Sequence, residues 1–115
     1  MFVTTAFVPS FRTRRSVWTS TLAYTEITPP DPHRVTIVFS IDSSDVICLD
    51  IEAVDEPNRV VILLWGPGDR VVDWSTYGVL STVRWFGRSM VGGSIVNVTE
   101  ILFEPMGAGT WQTSP

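Results

Sequence analysis

Val35, Ile37, Phe39 and Ile41 alternate with Arg34, Thr36, Val38 and Ser40. Asp42-Ser43-Ser44 follows, and then Ile47, Leu49 and Ile51 alternate with Val46, Cys48, Asp50 and Glu52. In a strand every second side chain points to the same face, so each run presents one dry face and one wetter face. The turn residues between the two runs make them read as a β-hairpin.

The rest of the chain continues in strands. In residues 16–27, Trp18, Ser20, Leu22, Tyr24 and Glu26 share one face, and its larger side chains direct it to the core. Pro29, Pro30 and Pro32 cannot donate to a ladder and end that strand. Arg59 to Trp65 is apolar on both faces, which predicts a central covered strand with Trp65 in the core. Gly66-Pro67-Gly68-Asp69 is a tight turn, after which residues 70–74 pair back. Residues 74–86 change period: Trp74, Tyr77, Leu80, Val83 and Phe86 recur every three residues, with Asp73 as N-cap and Gly87 past the end. Gly78 and the β-branched residues there oppose a helix, so two strands are the alternative. A final strand covers 94–104, with Val96, Val98, Glu100, Leu102 and Glu104 on one face. The expected fold is mainly β (α+β): an antiparallel sheet or small open barrel of five to seven strands, with one covering helix near residues 74–86. Residues 1–115 read as a single domain, with extended arms at 1–15 and 105–115.

Composition limits the chemistry. The chain has no lysine, one histidine (His33) and one cysteine (Cys48). Schiff-base catalysis and a phosphate-loop lysine are excluded, and metal or Cys–His sites have almost no material. Cys48 lies in an apolar run and reads as a small buried hydrophobe. His33, beside prolines, reads as a surface residue. Asp50 and Glu52 share a strand face at the two-residue repeat and are the weak candidate for a cation or acid–base site. No metal site and no cofactor is expected.

Net charge is −4, which opposes nucleic acid as the main partner. No run reaches the ~20 apolar residues of a membrane span, and Met1 to Thr5 lacks the pattern of a signal peptide. The expected location is the cytoplasm, or a virion if the protein is viral.

Five tryptophans remain to be explained. Each indole N–H needs a partner when buried, so a small domain seldom hides all five. Trp18, Trp74, Trp85 and Trp111, with Arg14 and Arg15 from a local basic run, are the interface candidates. The expected function is a non-enzymatic structural or interaction protein that oligomerises or docks on a protein partner, such as a virus or phage tail, neck or decoration component. The alternatives are a small-ligand or carbohydrate-binding module using tryptophans, an immunity or inhibitor protein, and an acid-based enzyme or cation site.

Overall fold

The computed structural model describes residues 5–6, 10–53, 62–104 and 112–113. In chain order the strands are β1 (Thr5–Ala6), β2 (Ser10–Thr19), β3 (Thr25–Thr28), β4 (Arg34–Ile41), β5 (Val46–Asp50), β6 (Ile62–Trp65), β7 (Gly68–Asp73), β8 (Trp85–Ser89), β9 (Ile95–Glu104) and β10 (Gln112–Thr113). A helix α1 (Trp74–Tyr77) and a 3-10 turn (Gly78–Ser81) separate β7 from β8. The fold is mainly β, as the alternation predicts.

The strands form two four-stranded antiparallel sheets, ordered β2-β9-β4-β7 and β3-β8-β5-β6, while β1 pairs with β10. Of the connections from β2 through β9, only β5 to β6 joins neighbours in one sheet; each of the others crosses between sheets. This is the double-sheet jelly-roll arrangement. The connection 42–45 is therefore not a hairpin loop. β4 pairs with β7 and β9, and β5 pairs with β6 and β8. Likewise β7 does not pair back on β6 but adds to β4 across the sandwich. Alternation reports which face of a strand is dry; it does not report the neighbour.

The two inner faces meet in one cluster: Trp18, Ile37, Phe39, Ile41, Ile47, Leu49, Leu64, Val72, Trp85, Val96 and Val98. Phe39 and Trp85 meet edge-to-face across it, with ring centroids 5.8 Å apart. Gly87 makes room for Trp18: a Cβ there would lie 2.7 Å from Ile27 Cδ1 and 3.0 Å from the Trp18 ring. Cys48 is buried, as its apolar run implies.

The segment 16–27 is not one strand. β2 ends at Thr19, residues 20–24 turn, and β3 starts at Thr25, which leaves Leu22 exposed at the turn. The helix is also shorter than its period suggests. Asp73 caps it as expected, accepting from Thr76 N at 2.7 Å. Gly78, at φ 59°, ends it after one turn. Residues 85–89 are a strand, so Gly87 is not a helix terminator. Trp65, expected in the core, is 62% exposed. Leu64 takes the inward position of β6, and its neighbour Trp65 points out.

Candidate interaction surface

The sandwich has two ends. At one, the connections 20–24, 42–45, 66–67 and 90–94 come together. Asp45 is buried there and accepts from Val46 N and Ser94 Oγ, both at 2.7 Å. Its carbonyl takes the Gly66 N–H at 2.8 Å. A side chain at Gly66 would meet the Ser43 carbonyl at 1.8 Å, so only glycine fits this crossing.

At the other end a charge cluster ties the connections to the first sheet. The Arg34 side chain is fully buried. Its guanidinium donates to the carbonyls of Ser81 (2.7 Å), Pro29 (2.9 Å) and Val83 (2.5 Å), to Thr28 Oγ1 (3.2 Å) and to Glu100 Oε2 (3.0 Å). Ser81 Oγ returns a bond to the Arg34 carbonyl. Glu100 also takes Arg14 at 2.7 Å, and Arg14 reaches Asp31 at 3.2 Å. Burial pushes the Glu100 carboxyl up, but hydrogen bonds and charge from Arg14 and Arg34 outweigh it and hold the group below the usual carboxylate range. The same pairing, led by the Glu100 hydrogen bond, raises Arg14.

Sequence reasoning missed this cluster. It placed Arg34 on the wetter face with Thr36, Val38 and Ser40. A register shift between Arg34 and Thr36 turns Arg34 inward instead. One signal was available: Glu100 shares its strand face with Val96, Val98 and Leu102, and a carboxylate in that position calls for a cationic partner.

The candidate residues separate into groups. Trp18 and Trp85 are core residues, not interface residues, at 8% and 2% exposure. Their indoles are satisfied internally: Trp18 Nε1 donates to Thr25 Oγ1 at 3.0 Å, and Trp85 Nε1 to the Leu80 carbonyl at 2.9 Å. Arg14 is committed to Glu100 and Asp31. Trp111 lies outside the described residues. Asp50 and Glu52 do not form a pair on one strand face. β5 ends at Asp50, which is buried and turns Oδ1 back onto the N–H groups of Ile51 (2.6 Å) and Glu52 (3.2 Å). His33 is exposed.

Trp74 and Arg15 remain, and both belong to the outward side of the first sheet. Trp74 is 54% exposed, Phe11 57% and Val71 48%. Phe11 meets Phe103 edge-to-face at 5.7 Å. By strand register Ile101 and Val38 also point outward, opposite in direction to the buried Leu102, Ile37 and Phe39. Beside Trp74 lies a cavity of about 240 Å³ lined by Pro32, His33, Arg34, Val35, Trp74 and Phe103. The result is a stripe of aromatic and aliphatic side chains on a sheet face that faces away from the core.

Among the described residues, no helix is long and apolar enough to cross a membrane. No protein-family profile matches the chain, and no curated protein matches it. Among solved structures it is similar in fold to a chain from Bacillus endospore appendages, described as a novel family of disulfide-linked pili. The TM-score is 0.54 at 7% identity, over 89% of this chain and 92% of that one.

Proposed function

We propose that this chain is a non-enzymatic structural subunit that assembles, foremost with copies of itself, through the outward face of its first sheet. The observation that carries this function is the exposed stripe of Phe11, Val71 and Trp74, continuous with Phe103, Ile101 and Val38. Aromatic residues on a flat apolar face anchor protein interfaces. The likeness in fold to an endospore appendage chain supports a fibre or appendage over a soluble carrier. A virus or phage particle component makes the same demand on the fold. That neighbour's pili are described as disulfide-linked; here the single Cys48 is buried in β5, so the proposed contacts are non-covalent.

Nucleic acid is the weaker partner. Two of the three arginines of β2 are drawn into ion pairs, Arg12 with Glu104 at 2.8 Å and Arg14 with Glu100 and Asp31. A sugar platform is disfavoured because the cavity beside Trp74 has no amide side chain in its lining. Sedimentation velocity over a wide range of concentration tests the proposal. Assembly that grows with concentration and is weakened by Trp74→Ser supports it. A monomer at every concentration, with or without Trp74, refutes it.

A further inference from the structure

The edges of the two sheets differ in a way that selects how copies join. Natural sheets blunt their edges with short strands, bulges and prolines, because an open edge is a template for another strand. The second sheet follows this rule. β3 has four residues, a register shift between Glu26 and Thr28, and prolines directly after it. Among the described residues β6 also has four, Ile62–Trp65. The first sheet does not. β2 runs ten residues in unbroken register with β9, and nine of the ten are exposed. β7 runs six residues in unbroken register with β4. Neither β2 nor β7 has a proline or a bulge, and among the described residues neither has a second neighbouring strand.

Direction and side chains also match. β2 is antiparallel to β9, β9 to β4, and β4 to β7, so β7 runs opposite to β2. A second copy placed beside β7 by simple continuation therefore offers its β2 antiparallel, and the alternation of the sheet is unbroken. Three outward rows cross the sheet: Thr13–Ile101–Thr36–Asp73, Arg15–Thr99–Val38–Val71 and Val17–Asn97–Ser40–Asp69. If the rows continue, Arg15 of the incoming copy lies opposite Val71 and diagonal to both Asp69 and Asp73. Diagonal neighbours sit roughly 7–8 Å apart, within reach of an arginine. Arg15 is exposed and has no ion-pair partner among the described residues. Asp73 is held ionised by hydrogen bonds from Thr76 and Ser75. Beyond Asp73 comes Trp74, and beyond Thr13 comes Phe11, so the aromatic stripe continues from one copy into the next.

We propose that β2 of one copy adds as a strand to β7 of another, head to tail, with Arg15 between Asp69 and Asp73 of its neighbour. This rests on the self-assembly proposed above and adds to the apolar face a second contact, the two strand edges of the same sheet. The contact joins two different edges, so it does not close on itself as a two-fold dimer does; it propagates as an open fibre. Four strands at about 4.8 Å give a rise of roughly 19 Å per copy, and the ordinary strand twist adds about 80–100° of rotation.

Two charge reversals test it, with pelleting by ultracentrifugation as the readout and thermal melting as the check on folding. Arg15→Glu alone and Asp69→Arg alone are each expected to raise the concentration needed for assembly by about tenfold or more. An equimolar mixture of the two variants restores assembly, because each then meets an edge of opposite charge. Wild-type assembly that neither reversal weakens, or that the mixture does not restore, overturns the edge pairing while leaving self-assembly through the apolar face intact. A wild-type chain that never assembles overturns both.

Discussion

The two sheets share a core but treat their other surfaces differently. The second sheet has strands of four or five described residues, and its outward positions Cys48 and Asp50 are buried while Trp65 stays exposed. The first has the long strands β2 and β9 and leaves Phe11, Val71 and Trp74 open. It also holds the ionic cluster, since Arg14, Arg34 and Glu100 come from β2, β4 and β9. On this sheet an exposed apolar stripe lies over strands that the buried ion pairs fasten together, which suits a binding surface.

The widest gap should appear between two tryptophans. Trp85→Ala removes a buried ring and its bond to Leu80, and is expected to cost about 3–5 kcal/mol of folding stability in urea titration. Trp74→Ser should change stability by no more than about 0.5 kcal/mol, yet weaken association by about 2 kcal/mol, roughly 30-fold. Equal effects of the two on folding would break the contrast between core and surface.

Arg34→Ala probes the fastening. It leaves the Glu100 carboxylate buried beside a single remaining cation, and is expected to destabilise by about 3–5 kcal/mol. Arg34→Met, which fills the space without the charge, likewise leaves the buried carboxylate with Arg14 as its remaining cation. Pairing it with Glu100→Gln should recover part of the loss in a double-mutant cycle. Independent, additive losses would remove the ion pair from the account.

A smaller effect follows from pH. The folded Glu100 lies below its unfolded value near 4.3, so its contribution is fully present above that value. It is lost as pH falls through the folded pKa, where the unfolded state binds the proton first. Wild-type stability is therefore expected to drop more steeply in acid than that of Glu100→Gln. Matching slopes would show that the pair does not carry the shift.

Much of the architecture was legible in the chain. Strict alternation placed Ile37, Phe39, Ile41, Ile47 and Leu49 inward, and they are buried. The partners were not legible, because face is encoded locally and strand order is not. The turn 42–44 has the composition of a hairpin loop but spans the gap between sheets. The three-residue period after Asp73 looked helical, yet Gly78 ended the helix and the same spacing led into β8. Arg34 defeated its own pattern through a register shift that side-chain identity does not announce. The candidate surface was half legible: tryptophan number implied that some must be exposed, but only the fold separates Trp74 from Trp18 and Trp85.

The most direct measurement is amide hydrogen exchange on assembled against monomeric protein. Backbone pairing between copies should slow exchange along β2 and β7, and leave β3 and β6 unchanged. Protection gained on β3 and β6 with none on β2 and β7 would contradict the assignment of assembly to the first sheet.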